Sequence, residues 1–153
     1  MGGKVIAVLR LAVAGVFLVA GAMKIWDFAH ARSATPDFTI AIQQYRLLPS
    51  PDLAVLLAVY LPWLEVTAAL AVFMRRLALG AAAAMLGMSA IFLAAVGSAW
   101  WRGLDIACGC FGKDKTPADF PMLLLRDTAL LAAVAVLFVH EWRRARPATR
   151  ASC

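Results

Sequence analysis

Four long apolar stretches dominate the chain, and more polar segments separate them. They cover residues 5–24, 53–74, 77–100 and 121–140. Each is near the roughly 20 residues that a helix needs to cross about 30 Å of hydrocarbon. The pattern therefore predicts an all-α fold, a polytopic membrane bundle of four helices. The first stretch is interpreted as a retained span, because it has no clear cleavage site and further spans follow it.

The first loop carries a shorter helical pattern. Between Pro36 and Pro49, apolar residues recur at helical spacing, at Phe38, Ile42, Tyr45 and Leu48. The pattern predicts a short amphipathic helix at the membrane surface. Two roles are open for this helix: an interfacial anchor, or a lid over the loop that follows the third span.

Composition and charge agree with a membrane protein and give it an orientation. The 153 residues are 63% hydrophobic, against roughly 45–50% in soluble domains, and the mean hydropathy is +0.81. The net charge of +6 does not indicate nucleic acid, because the basic residues gather at the ends of the spans. We expect one transmembrane domain over residues 1–142 and a basic cytoplasmic tail over 143–153.

Lysine and arginine predict which side each loop faces. Arg75 and Arg76 form the turn between the second and third spans, and four more arginines lie in the tail. We expect the protein in the inner cell membrane, and the positive-inside rule then puts both termini in the cytoplasm. The loops at about 24–52 and 101–120 would face outward, toward an oxidising compartment.

The second outer loop contains the most reactive residues of the chain. Cys108 and Cys110 flank Gly109, which allows a tight turn. Thiols at this spacing can close into a small ring, and a strained disulfide is readily reduced. A redox-active pair, a structural disulfide and two unpaired thiols all remain open. Cys153, on the tail, is expected to be a reduced thiol because the bilayer separates it from the pair.

Charged residues within the spans are the second group of candidates. Arg10, Glu65, Arg126 and Asp127 lie in or near apolar stretches, where ionisable groups usually face the bundle interior and pair. Estimated depths predict an Arg10–Glu65 pair, either as an orienting salt bridge or with Glu65 handling protons. Lys24 and Arg126 would either reach lipid headgroups or lie below the cysteine loop and favour a thiolate.

Metal binding is not the favoured interpretation. Structural zinc needs four Cys or His ligands, and the outer face offers Cys108, Cys110 and His30. A copper site that combines the two cysteines with a methionine, such as Met23 or Met122, is a weaker alternative.

Several short motifs together resemble a known family. They are Gly21-Ala-Met-Lys24, Tyr45-Arg-Leu-Leu-Pro49, Leu61-Pro-Trp-Leu-Glu65, Ala107-Cys-Gly-Cys-Phe-Gly112 and Leu125-Arg126-Asp127. The chain resembles the DoxX-like family over most of its length, and within it the MauE branch of methylamine-utilisation membrane proteins. The resemblance implies a four-helix membrane protein that acts with a thioredoxin-like partner in maturation of the disulfide-rich small subunit of methylamine dehydrogenase.

The architecture is also similar to the four-helix thiol–quinone oxidoreductases, DsbB and vitamin K epoxide reductase. This chain departs from them, since it has one Cys-x-Cys pair, no Cys-x-x-Cys and no second outer cysteine pair. A bound quinone against Trp100, Trp101 and Phe111 is therefore a secondary expectation.

The leading hypothesis is a membrane thiol–disulfide redox protein, a component of an oxidoreductase system, that uses Cys108 and Cys110. One alternative is a non-enzymatic assembly factor in which the disulfide only shapes the loop. Another is a small transporter or lipid-binding bundle that uses Glu65.

The orientation can be tested by thiol labelling in intact cells. We expect a membrane-impermeant maleimide to label Cys108 and Cys110 after mild reduction, because the basic residues hold the opposite side in the cytoplasm. Cys153 is the internal control and should react only after the cells are lysed. Labelling of Cys153 in intact cells, with protection of the other two, would reverse the predicted orientation.

Overall fold

The computed structural model describes residues 3–30, 37–45, 49–103 and 120–150. Within these ranges there are five helices: α1 (Gly3–His30), α2 (Asp37–Gln44), α3 (Pro51–Ala71), α4 (Ala78–Trp101) and α5 (Phe120–Arg150). Within these ranges the chain forms helices and turns and no strand. All except α2 are long and apolar enough to cross a membrane. The prediction of an all-α, multi-pass membrane protein is confirmed.

The four long helices form a ring. α1 packs against α3, α3 against α4, α4 against α5, and α5 against α1. Neighbouring helices run in opposite directions, so Gly3, Arg150 and the turn at residues 72–77 share one end of the bundle. We call this the terminal end. The last turns of α1 and α4 and the first turns of α3 and α5 form the opposite end, which we call the loop end.

A narrow stripe of each long helix is buried. On α1 the buried residues follow one face of the helix, at Ile6, Val13, Ala14, Phe17, Gly21 and Lys24. The other faces of the helices carry large exposed apolar side chains. In a bilayer these faces contact lipid tails, so the bundle is held by close packing of its interior.

Two helices extend beyond the apolar stretches that predict them. α1 continues past residue 24 to His30, and α5 continues past residue 140 to Arg150. The helices are longer than the apolar stretches because hydropathy detects only the part of a helix that lies in lipid. The polar residues at both ends are compatible with a helix. Residues 143–150, expected as a separate tail, therefore prolong α5.

The ends of α3 and α4 have clear local causes. α3 starts after Ser50 with Pro51 at the first helical position, where its fixed φ suits the helix. α4 stops where Gly103 adopts a positive φ of 62°, and the Gly103 N–H donates to the carbonyl of Trp100 at 3.0 Å. A left-handed glycine just past the last turn is a common helix stop signal.

The short helix predicted in the first loop is present as α2, and it covers the loop end of the bundle. Phe38 and Tyr45 are buried, and the Tyr45 ring meets the Phe92 ring edge-on, with centroids 6.4 Å apart. The Arg102 guanidinium donates a hydrogen bond to the Tyr45 carbonyl. The structure therefore confirms the helix, and its role as an anchor or as a lid over the cysteine loop stays a prediction, because that loop lies outside the described residues.

α1 and α3 approach each other closely at Gly21. A methyl group there would lie 2.8 Å from Val66 Cγ2 and 2.9 Å from the carbonyl oxygen of Pro62. The glycines of α4 differ, because a methyl group at Gly80, Gly87 or Gly97 would meet nothing within 4 Å.

Replacement of Gly21 tests this contact. Gly21→Ala should lower the free energy of unfolding by about 1–3 kcal/mol, because the backbone carbonyl of Pro62 cannot rotate away. The matched control is Gly15→Ala on the same helix, where a methyl group meets nothing within 4 Å. The control should be neutral or slightly stabilising. Unfolding of the purified protein in mixed micelles, followed by circular dichroism, measures both, and equal effects would contradict the packing.

Candidate functional site

A pocket of about 360 Å³ lies inside the bundle, and all four long helices line it. Its apolar wall is formed by Val16, Phe17, Ala20, Leu61, Met88, Phe92 and Leu130. Five polar side chains complete the lining: Lys24, Glu65, Ser89, Arg126 and Asp127. Ser89 is 11 residues from the start of α4 and 12 from its end, roughly 17 Å from either. The pocket therefore reaches the middle of the membrane-spanning region.

Lys24 and Glu65 form an ion pair in this pocket. Lys24 Nζ lies 2.5 Å from Glu65 Oε1, and the two side chains are 8% and 9% exposed. The Phe38 ring of α2 lies over the ammonium group, with its centroid 4.8 Å from Nζ. A buried charge without a partner costs several kcal/mol, so each member of this pair stabilises the other.

The pairing follows from the local packing of α1 on α3. Gly21 lies one turn before Lys24 on α1, and its missing side chain lets α3 approach closely at Pro62 and Val66. Glu65 lies between these two contacts in the sequence, so its carboxylate meets the Lys24 side chain one turn further along α1. The missing side chain at Gly21 thus allows the two charged groups to come within contact distance.

Arg126 and Asp127 form a second charged pair, at adjacent positions of α5. Arg126 Nε donates to Asp127 Oδ1 at 3.0 Å. The Asp127 side chain is 7% exposed, whereas that of Arg126 is 42% exposed. Asp127 therefore brings negative charge into the interior, and Arg126 compensates it from a less buried position.

Three polar atoms of the pocket have no hydrogen-bond partner among the described residues. They are Glu65 Oε2, Ser89 Oγ and Asp127 Oδ2. All three residues are more than nine-tenths buried, and buried polar atoms are nearly always hydrogen-bonded in native structures. The three atoms are themselves fully buried, so other atoms of these residues line the pocket.

The expected Arg10–Glu65 pair is wrong. Arg10 instead donates to Glu141 on α5, and both side chains are largely buried. Gly21 meets α3 beside Glu65, and Arg10 is 11 residues earlier on α1, roughly 16 Å away along the helix. The depth estimate placed each residue relative to the end of its own apolar stretch. It did not include how far α1 is shifted along α3.

Sequence reasoning also missed two residues of these networks. Glu141 follows the last apolar stretch and precedes a run of arginines, so it resembled a surface residue. Ser89 was hidden in a span rich in small residues, although a lone hydroxyl at the centre of an apolar helix was a usable signal.

The remaining candidates do not meet in the described pocket. Trp100 and Trp101 are exposed at the last turn of α4 and do not line it. Cys108, Cys110 and Phe111 lie outside the described residues. No group of three or more His, Cys, Asp or Glu side chains within residues 3–30, 37–45, 49–103 and 120–150 is placed to hold a metal ion.

The fold and this site define a multi-pass helical membrane protein with ion pairs around an interior pocket. The family described as Methylamine utilisation protein MauE matches residues 3–140, and the chain belongs to that family. This confirms the resemblance drawn from the sequence motifs. Neither the curated proteins nor the solved structures gave a match to the chain.

A double-mutant cycle tests the Lys24–Glu65 pair. Lys24→Met should destabilise the protein by about 3–5 kcal/mol, because it leaves Glu65 buried without a partner. Lys24→Met combined with Glu65→Leu should recover most of that loss. Arg10→Met with Glu65→Leu is the control, and its two effects should add, because these side chains do not interact. Reversible unfolding in mixed micelles measures each variant, and coupling of Arg10 rather than Lys24 to Glu65 would contradict the structure.

Proposed function

We propose that this membrane protein of the methylamine-utilisation family exchanges disulfides with a thioredoxin-like protein through Cys108 and Cys110. The exchange takes place on the outer side of the inner membrane. Its physiological result is correct disulfide formation in an extracytoplasmic protein, for which the small subunit of methylamine dehydrogenase is our candidate.

The position of the cysteine pair in the chain carries the proposal. The pair belongs to the segment that joins α4 to α5, with Cys108 five residues after Gly103 and Cys110 ten residues before Phe120. Both ends of that segment are attached at the loop end of the bundle. Arg75 and the arginines that follow Trp142 lie at the opposite, terminal end. The positive-inside rule therefore supports an outward-facing pair, where disulfides persist.

The exchange needs only the two sulfurs and a partner dithiol. A partner thiolate attacks one sulfur of the Cys108–Cys110 disulfide, forms a mixed disulfide and releases the other sulfur as a thiolate. The partner's second thiolate then displaces the remaining sulfur. Two electrons pass from the partner to this pair: the partner gains a disulfide and this chain gains a dithiol. The same steps in reverse oxidise the pair at the expense of a partner disulfide.

Arg126 supports this chemistry better than Lys24 does. Arg126 is six residues into α5, roughly 9 Å from its start, and its guanidinium is partly exposed. A cation within reach of the pair would favour the thiolate. The Lys24 side chain is only 8% exposed and is covered by Phe38, so it cannot reach the cysteine segment as the more exposed Arg126 can.

A second candidate function rests on the pocket itself. Glu65 and Asp127 line a membrane-embedded cavity, and this supports a small transporter or lipid-binding protein in which the cysteine pair is only structural. In that case the cysteines could be replaced without loss of function, whereas Glu65→Gln would remove it.

Trapping of mixed disulfides distinguishes these functions. The test uses membranes of cells that grow on methylamine. In Cys108→Ser and in Cys110→Ser, one cysteine of the pair remains, and the second thiol that would release a mixed disulfide with the partner is missing. At least one of them should accumulate a reducible adduct with a thioredoxin-like protein. Cys153→Ser is the matched control and should give the wild-type pattern.

Two results would contradict the proposal. The first is the absence of an adduct from both single variants. The second is normal methylamine dehydrogenase activity in cells that carry the double variant Cys108→Ser with Cys110→Ser. Loss of that activity in Glu65→Gln alone, with the double cysteine variant unaffected, would favour the second candidate function.

A further inference from the structure

We propose that the terminal end of the bundle binds anionic phospholipids, and that a cluster of exposed lysine and arginine side chains holds their phosphate groups. The proposal goes beyond disulfide exchange and does not depend on it, because the cysteine segment is attached at the opposite end. It assigns a lipid site to residues that otherwise serve as a topology signal.

Exposed basic residues from three separate parts of the chain gather at the terminal end. The parts are the start of α1, the turn between α3 and α4, and the last turns of α5. Neighbouring helices are antiparallel, so the fold brings these parts to one end although they are far apart in the sequence. The exposed basic residues are Lys4, Arg75, Arg76, Arg143, Arg144 and Arg146.

The Arg10–Glu141 ion pair sets the level of α1 against α5. Lys4 lies six residues before Arg10, and Arg146 lies five residues after Glu141. Because the two helices are antiparallel, both basic residues lie roughly 8–9 Å beyond the ion pair, on its terminal side. The lysine and the arginine therefore reach the same layer of the membrane surface from two helices.

The basic cluster has no exposed countercharge among the described residues of this end. Glu141 is the acidic residue there, and its side chain is 9% exposed and paired with Arg10. Acidic residues near a helix end on the other side, such as Asp27 and Asp52, lie at the loop end. The terminal end therefore presents a net positive charge that a negatively charged partner can neutralise.

Exposed apolar side chains beside the basic residues favour a lipid over a soluble anion. In the turn between α3 and α4, Met74 and Leu77 flank the two arginines and are 58% and 50% exposed. On α5, Trp142 is exposed, and Arg146 Cζ lies over its ring, 5.3 Å from the centroid. Tryptophan is enriched where a membrane meets water. Apolar and basic side chains at one level match the acyl chains and the phosphates of a lipid leaflet.

The charge of the cluster selects the class of lipid. Phosphatidylglycerol carries a net negative charge, whereas the choline of phosphatidylcholine neutralises its phosphate. The guanidinium group of arginine donates two parallel hydrogen bonds to phosphate oxygens. Each basic residue near an anionic membrane surface strengthens binding about fivefold. A lipid that contacts at least one of these side chains should therefore be preferred by about that factor when its headgroup is anionic.

The experiment compares the two ends of the full chain in reconstituted vesicles. One variant keeps Trp142 and another keeps Trp26, and phenylalanine replaces the other tryptophans of each. Brominated lipids quench tryptophan fluorescence on contact, so brominated phosphatidylglycerol and phosphatidylcholine with identical chains give the relative affinity at each end. We expect at least a fivefold preference for phosphatidylglycerol at Trp142. The preference should be below twofold at Trp26, which lies at the loop end beside Asp27.

Charge variants in the chain that keeps Trp142 locate the preference. Arg143→Gln with Arg144→Gln removes two charges and should lower the preference at least threefold. Arg143→Lys with Arg144→Lys is the matched control; it keeps both charges and should stay within twofold of the parent. Sodium chloride at about 1 M, where the Debye length is about 3 Å, should also weaken the preference. Cys108→Ser with Cys110→Ser should leave it unchanged, which separates this proposal from disulfide exchange.

The outcomes decide the proposal. Equal preferences at Trp142 and Trp26, or equal losses in the glutamine and lysine variants, would overturn it. Free sn-glycerol 3-phosphate carries the phosphate without acyl chains and should not compete with the brominated lipid at equal concentration. Competition by it would make the terminal end a site for soluble phosphates and would contradict a lipid site.

A second measurement needs no tryptophan replacement and serves if those variants do not fold. The purified wild-type chain is mixed with equal amounts of phosphatidylglycerol and phosphatidylcholine, and native mass spectrometry counts the lipids that it retains. We expect phosphatidylglycerol adducts to exceed phosphatidylcholine adducts at least fivefold. Equal numbers of the two adducts would overturn the proposal.

Discussion

The structure depends on a constraint that the bilayer imposes: a charge placed among hydrocarbon chains must find its countercharge within the bundle. Lys24 and Glu65 meet this constraint between α1 and α3, and Arg10 and Glu141 meet it between α1 and α5. Each pair joins two helices at a defined level and adds to the close packing that holds helices together in lipid. The two pairs therefore fix how α1 is shifted along both of its neighbours.

Gly21 makes the Lys24–Glu65 pair possible, and the contact that it forms leaves no space for a larger residue at this position. Without a side chain, the α1 backbone approaches Pro62 and Val66 of α3 so closely that a methyl group would not fit. Phe38 of α2 then covers the Lys24 ammonium group from the loop end. A tight contact at Gly21, the Lys24–Glu65 ion pair and the Phe38 ring therefore follow each other along one face of α1.

Three of the five unpartnered buried polar atoms among the described residues belong to residues that line the pocket, and the other two are Arg10 Nε and Thr39 Oγ1. Toward the terminal end, Met85 and Leu137 belong to an apolar core, beside which Arg10 pairs with Glu141. In the pocket, by contrast, two carboxylate oxygens and a hydroxyl lack partners among the described residues. Natural proteins usually break the rule of satisfied polar groups where function requires it. In this protein such a region lies on the loop side of the core, in the half of the bundle to which the cysteine segment is attached.

The sequence by itself determined the four spans, the short helix in the first loop and the family, because length and hydropathy report how much of a helix lipid can cover. It also marked Glu65, Asp127 and Arg10 as interior charges. Only the tertiary structure decided their partners, and it brought Ser89 into the pocket. A residue number gives position along one helix axis, at 1.5 Å per residue, but not how far neighbouring helices are shifted or which faces they share. The contact at Gly21 sets that shift, and it depends on two segments about 40 residues apart in the chain.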